Sequence, residues 1–422
     1  MRTYKASASG NQNSHNMFLN KNIYMKKKYK LAILDTHFVQ YRAPFYKKLA
    51  SHPKINLVVY YCSDFGIRNY YDPGFGKKVN WNDISLTGGY KYKILKNYSL
   101  RPSISSFFGL INLGIIPELL IKKYDGILIH GYEHLTNLLA IVGAILSKTP
   151  IIFRCTNPLS HEFYQPTYKR LIKRIFLFFL FKFVNKFLAI GKENLNFYLY
   201  YKVNKKNIIL TPYCIDNKRL VEEYRRYKKK KQKLKKKLRI KNKIIILFVG
   251  KLIQKKRPFD LLLAFEKLKD KKVGLIFIGE GKLKRELKEY TKKKKIKNIY
   301  FLGFKSQSEL PKYYAIADIF VLPSGIGETW GLVVNEAMCF GLPIIVSNMV
   351  GCSKDLVKHN KNGYIFKVGN IDELSKYLHI LVKNHKLRKK FGEYSFKLIK
   401  KYNYIILAKK IIEALQSLKN EK

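Results

Sequence analysis

The stretch from Ile319 to Val346 constrains this chain more than any other. A short apolar run, Ile319 to Leu322, ends in Pro323, Ser324, Gly325 and Gly327. A helix-compatible segment then opens near Gly331, and a second apolar run, Ile344 to Val346, follows Gly341 and Pro343. Short, wholly apolar runs read as strands buried on both faces, and two of them joined through a helix belong to a covered parallel sheet. The glycine-bearing loop sets the unpaired N–H groups of a helix start at the end of a strand, which is a seat for an anion. Two carboxylates flank that seat: Glu328 in the loop and Glu336 inside the helix. At roughly 1.5 Å rise per helical residue they lie on either side of a bound diphosphate and accept from hydroxyls at its two ends. A nucleotide sugar, with a hexose at one end of its diphosphate and a ribose at the other, has that shape.

Glu328, seven residues, Glu336-Ala337-Met338 and then Gly341-Leu342-Pro343 resemble the signature of the family 4 retaining glycosyltransferases, within the GT-B superfamily and the glycosyl transferases group 1. Other pieces stand upstream in the same order. Ile244 to Val249 reads as a buried strand ending at Gly250, with Lys251 and Lys256 in the loop after it, where two cations neutralise a diphosphate. The family usually has arginine at the first of these positions; Lys251 keeps the charge and loses the planar fork. Gly279-Glu280-Gly281 follows the run Val273 to Ile278, and Phe301-Leu302-Gly303-Phe304 follows a third segment. The resemblance is nearly continuous from Lys243 to Asp372, including Asn362-Gly363 and a helix start at Asp372-Glu373-Leu374.

The resemblance implies an α/β fold of the GT-B kind, two Rossmann-like domains facing an interdomain cleft. It implies transfer of a hexose from a nucleotide-diphosphate sugar to an acceptor hydroxyl with retention, in polysaccharide or glycolipid assembly, with no cofactor and no metal. It puts Glu336 on the ribose and Glu328 on the sugar. Lys251, Lys256 and the backbone of Gly331, Leu332 and Val333 meet the diphosphate, with Gly250 and Gly279 beside the nucleotide.

A chain of 422 residues exceeds one ordinary core, and 47% hydrophobic residues fill two. The reading divides it into a polar tail at 1–29, an acceptor domain at 30–216, a basic linker at 217–243, a nucleotide-sugar domain at 244–395 and a helical segment at 396–422 that packs back on the first domain. In the amino-terminal half, Lys30 to Asp35 reads as a first strand and Ala43 to Ala50 as a helix with Pro44 in its first turn. The loop between them carries Gln40, Tyr41 and Arg42 where many family members have a glycine pair, so Tyr41 and Arg42 are assigned to the acceptor side. The strands Tyr124 to Ile129 and Pro150 to Phe153 lead to His130 and Arg154, which would face the cleft as candidate catalytic groups. Arg154 stands where many relatives have histidine, and a fixed cation is no general base near neutral pH. Asp72 to Gly76 with Trp81 reads as an ordered insertion, Thr211 to Asp216 as a hinge turn, and Tyr168 to Phe187 as one helix mixing Lys and Arg with Phe and Leu.

The formal charge of +55 demands a partner. Lysine outnumbers arginine about five to one and no base-reading module is present, which disfavours nucleic acid. An anionic membrane surface fits better, because each basic residue near it contributes on the order of 1 kcal/mol. Lys228 to Lys237 holds eight lysines and reads as a solvated helix face, a membrane contact or a disordered run. No apolar run reaches the roughly 20 residues that span a bilayer. Five scattered cysteines give neither a zinc motif nor a disulfide framework, so a cytoplasmic protein at the membrane face is expected. A sugar phosphorylase or epimerase on the same fold, and a non-catalytic basic binding protein, remain alternatives.

Overall fold

The apolar runs become strands whose side chains are buried on both faces, and they set the architecture. The computed structural model describes residues 28–68, 70–72, 77–79 and 85–420; the sequence readings for residues 1–27, for Pro73 to Gly76 and for Trp81 lie outside them. The amino-terminal strands are β1 (Tyr29–Asp35), β2 (Ile55–Tyr61), an antiparallel pair β3 (Tyr70–Asp72) and β4 (Lys77–Val79), β5 (Lys91–Ile94), β6 (Gly126–His130), β7 (Ile151–Arg154), β8 (Lys186–Ala189) and β9 (Ile208–Leu210). The carboxyl-terminal strands are β10 (Ile244–Val249), β11 (Val273–Ile278), β12 (Ile299–Phe301), β13 (Ile319–Leu322), β14 (Ile344–Ser347) and β15 (Gly363–Phe366). Among the described residues, the first group forms a seven-stranded sheet in the order β5-β2-β1-β6-β7-β8-β9 and the second a six-stranded sheet in the order β12-β11-β10-β13-β14-β15.

Every pairing within both large sheets is parallel. Parallel strands need crossovers, and helices covering both faces supply them. These are two Rossmann-like α/β domains. Strand order reverses between β1 and β6 in one sheet and between β10 and β13 in the other, and ligands of open parallel sheets bind outside the carboxyl ends of the strands at such switch points. The loops after β10 and β13 carry Lys251, Lys256 and Glu328.

The chain crosses between the domains twice. The first crossing leaves β9 through Thr211 to Asp216, and the second returns near Tyr402 into the helix Tyr404–Asn420. Asn217 clasps the two, its Nδ2 donating to the carbonyls of Ile399 at 2.9 Å and Tyr402 at 2.8 Å. Leu407, Ile411 and Leu415 of the returning helix enter the same core as Leu31, Ile33 and Tyr46 of the amino-terminal domain.

Two sequence readings change. The lysine-rich run belongs to the carboxyl-terminal domain as the helices Asn217–Lys228 and Lys231–Lys237. Lys235 is buried there and donates to the carbonyls of Asn242 and Lys243 at 3.2 and 3.0 Å, while Lys231 pairs with Asp318 at 2.7 Å. The helix expected from Tyr168 to Phe187 spans Thr167–Lys182. It stops because Asn185 pairs with β7 in both directions: its N–H donates to Ile151 O at 3.0 Å, and its side chain accepts from Ile151 N at 2.8 Å. Lys186 then starts β8.

Candidate nucleotide-sugar site

Gly331 determines how the seat is built. Its φ of 94° is open to glycine and strained for other residues, and it turns the chain from the β13 loop into the helix Leu332–Cys339. A Cβ at this position would stand 2.9 Å from Leu322 Cδ2 and 3.1 Å from Val350 Cγ1. Gly331→Ala is therefore expected to cost about 1–3 kcal/mol in urea unfolding. An unchanged midpoint would show that the turn relaxes freely and is no fixed cradle. Beyond the turn, the first N–H groups of the helix lack intrahelical acceptors and carry the positive end of its dipole.

The two carboxylates sit in opposite electrostatic settings. Burial alone would raise the Glu328 carboxyl, but the ammonium of Lys256, which donates to it, and nearby Lys255 outweigh burial and hold it below the ordinary carboxylate range. Glu336 is pushed up, because burial exceeds the effect of its two neutral donors. Those donors are the Tyr314 hydroxyl at 2.6 Å and Gln307 Nε2 at 3.2 Å.

Both groups reach one interdomain cavity of about 220 Å³. The carboxyl-terminal domain lines it with Lys256, Glu328, Gly331, Leu332, Val333 and Glu336. Gln40 and Tyr41 line it from the amino-terminal domain, Asp216 from the first crossing, Arg219 from the helix that follows it, and Tyr404 from the returning helix. A second cavity of about 130 Å³ adds Gly250, Gly279 and Phe304 and shares Gln40, Gln307, Val333 and Glu336 with the first. Glu336 therefore stands where the two meet. Gly279 is required there: its φ is 138°, and a Cβ would fall 1.9 Å from the carbonyl oxygen of Gly250.

Other expected residues lie elsewhere. Lys251 lines neither cavity. Arg42 pairs with buried Asp35, which also accepts from the Tyr46 hydroxyl at 2.7 Å, and lines neither cavity. His130 and Arg154 end adjacent strands but line neither cavity. His130 Nε2 is 3.4 Å from the Tyr46 hydroxyl, and burial together with Arg42 and Arg154 lowers its pKa well below the imidazole range. The Arg154 guanidinium stacks 5.1 Å from the Tyr213 ring centre. Beside them Tyr41 packs edge-on against Tyr213, and Tyr213 against Trp330 of the carboxyl-terminal domain.

The sequence reading missed several supports. Arg219 donates to Gln307, which holds Glu336; its only sequence signal is its place in the first turn of a helix capped by Asp216. Tyr404 donates to Tyr41 O at 2.8 Å. His161 ties the domains at the Glu328 loop: its Nε2 faces Met349 O at 2.9 Å and its Nδ1 faces Gly327 N at 3.3 Å. A carbonyl only accepts and an N–H only donates, so this imidazole is neutral with its proton on Nε2. Burial lowers its pKa accordingly.

Residues 230–398 match the family model Glycosyl transferases group 1. The chain is 30% identical to Spore coat protein SA of Bacillus subtilis (strain 168) over 175 residues, 39% of this chain and 46% of that protein. It is 24% identical over 327 residues to the Escherichia coli UDP-Gal:alpha-D-GlcNAc-diphosphoundecaprenol alpha-1,3-galactosyltransferase, covering 73% of this chain and 80% of that one. The first curated relatives are matched over less than half of their own lengths. The fold of Anabaena Alr3699/HepE in complex with UDP superposes with a TM-score of 0.72 at 15% identity, covering 92% of this chain and 100% of that chain. At that identity the likeness is one of fold, and the fold is GT-B.

Proposed function

We propose, from a chain that carries a group 1 domain on a GT-B scaffold, that the protein is a family 4 glycosyltransferase that moves a hexose from a nucleotide-diphosphate sugar to an acceptor hydroxyl with retention of configuration, in polysaccharide or glycolipid assembly. The observation that carries this reading is the shared cavity: Glu328 and Glu336 open on it with the Gly331 turn between them. The similar Alr3699/HepE fold was solved with UDP, and the E. coli relative is named for galactosyl transfer to a lipid diphosphate sugar.

In this reading the base enters the cavity beside Gly250 and Gly279, and the ribose hydroxyls donate to Glu336. The diphosphate rests on the amides after Gly331 with Lys256, and the sugar reaches Glu328. As the bond to the diphosphate breaks, negative charge grows on it. Preorganised cations and amides stabilise that charge more in the transition state than in the ground state, so no metal is needed. The leaving phosphate takes the acceptor's proton during front-face attack. His130 and Arg154 support the cleft wall through Tyr46 and Tyr213. Closure of the domains excludes water and limits hydrolysis.

A thermal-shift screen of uridine, guanosine and adenosine diphosphate sugars tests this reading. One of them, at about one hundred times its Kd, should stabilise the protein by about 2.7 kcal/mol. If no nucleotide sugar moves the transition, the reading is withdrawn.

A further inference from the structure

The helix Thr167–Lys182 crosses from β7 to β8 and buries Leu177, Leu180 and Phe181 under the amino-terminal sheet. Its opposite face is apolar too. Tyr168, Leu171, Ile172, Ile175, Phe178 and Phe179 recur every three or four residues and are all exposed, Ile172 by 64% and Phe179 by 57%. That spacing gathers them in one stripe, where a surface helix ordinarily carries polar side chains. Phe163 and Tyr164 before the helix and Phe183 after it are exposed as well. On the same face of the sheet, the helices Ile115–Lys122 and Leu135–Leu146 expose Ile121 and Leu146.

Cations interleave with these rings. Lys182 Nζ stands 4.4 Å from the ring centre of Phe178 and 5.3 Å from that of Phe179, so its stem lies on the apolar stripe with the ammonium at the tip. Lys169 and Arg174 flank the stripe, and the helix contains no aspartate or glutamate. The acid just before it, Glu162, is buried and bonded to Lys173 and Tyr201. Among the described residues no helix is long and apolar enough to cross a membrane.

We propose that this face of the amino-terminal domain docks on an anionic lipid bilayer, with Thr167–Lys182 lying in the interface plane, its phenyl, leucyl and isoleucyl side chains among the acyl chains and its lysines and arginines on the headgroups. Charge selects the occupant. In a symmetric pairing of two copies the same cations would meet across the axis, in a chain that already carries +55. A surface of negative headgroups meets both the charges and the apolar stripe. The proposal is independent of the donor chemistry.

So basic a chain adsorbs to any anionic surface, and the test must separate insertion from adsorption. The full chain is sedimented with phosphatidylcholine vesicles containing about one-third phosphatidylglycerol, at low and at about 0.5 M salt, where adsorption is screened. The triple variant Leu171→Ser, Ile175→Ser, Phe179→Ser keeps the charge and changes only exposed side chains. It should partition at least about tenfold more weakly, most clearly at high salt. Independently, a Phe179→Trp reporter should shift its emission to the blue on these vesicles and be quenched by brominated acyl chains. Equal partition of wild type and triple variant, or a reporter whose emission does not move, overturns the proposal. So does a wild-type dimer that the triple variant dissolves while neither protein enters vesicles. Should the triple variant fail to fold, the reporter alone decides.

Discussion

Replacing Glu336 by glutamine is expected to weaken nucleotide-sugar binding roughly 100-fold while making the unliganded protein more stable at neutral pH. Both effects follow from one setting: a buried carboxylate held by the neutral donors Tyr314 and Gln307. Its folded pKa lies above the ordinary value of 4.5, so the folded state holds a proton that the unfolded state has released. Stability therefore falls as pH rises through that window, and above it the folded protein bears the full cost of the buried charge. Glutamine removes the cost and still accepts from the Tyr314 hydroxyl. Gln307 must turn its amide, and the net gain is expected to be about 1 kcal/mol, within the range for relief of an under-compensated buried group. The gain should vanish below the ordinary glutamate pKa. The same charge is what the ribose needs: two hydroxyls donating to a carboxylate lose about 1.5 kcal/mol each when the acceptor becomes neutral, which gives the roughly 100-fold loss. Calorimetric titration and melting curves across pH read both numbers. A variant that melts lower at neutral pH and binds as wild type does would make Glu336 a structural residue.

The second large effect is expected at Lys256. Its ammonium is the donor that keeps Glu328 ionised in a buried site. Burial, the largest single effect, raises the carboxyl, and Lys256, Lys255 and Ser324 together lower it further than burial raises it. The pair therefore contributes stability above the ordinary carboxylate range that is lost as pH falls through the depressed folded value. Lys256→Ala leaves burial opposed by Lys255, the folded pKa rises, and the sign inverts: the variant should lose stability as pH rises. Leaving one buried charge unpaired costs about 3–5 kcal/mol, which urea unfolding at pH 7 will show. Turnover should fall about 10²- to 10³-fold, as when one transition-state donor is removed. Adding Glu328→Gln to Lys256→Ala should restore most of the stability and none of the turnover. Recovery of both would place the cation outside the chemistry. Glu328→Gln alone should lower kcat with little loss of nucleotide affinity, since the sugar and not the nucleoside meets that group.

The carboxyl-terminal half was legible because its strands are buried on both faces. Ile244 to Val249, Val273 to Ile278 and Ile319 to Leu322 are continuous apolar runs. Glycines follow them, and at Gly279 and Gly327 the φ of 138° and 91° requires one. Local signals of that kind survive in a sequence. The edge strand Lys91–Ile94 is exposed along its whole length and alternates lysine with tyrosine and isoleucine, so no burial pattern marks it. The end of the helix at Lys182 depends on Asn185 meeting β7, a contact 34 residues distant in the chain. Likewise Arg219, Gln307, Tyr314, His161 and Tyr404 reach the site from four separate segments, and no spacing announces them. Charge misled in two places. Lys235 reads as a solvated lysine until Asn242, Lys243 and Asp318 surround it. Arg42 reads as a cleft cation until Asp35 claims it.

The central claim is that Glu328 and Glu336 hold the two ends of one nucleotide sugar whose diphosphate rests between them. A crystal structure with the uridine or guanosine diphosphate sugar that most raises the melting temperature tests it directly. The expected result places the ribose hydroxyls within about 3 Å of the Glu336 carboxylate, the diphosphate on the amides after Gly331, and the hexose at Glu328. A nucleotide seated anywhere else, with both carboxylates left on Tyr314, Gln307 and Lys256 as in the unliganded protein, would contradict it.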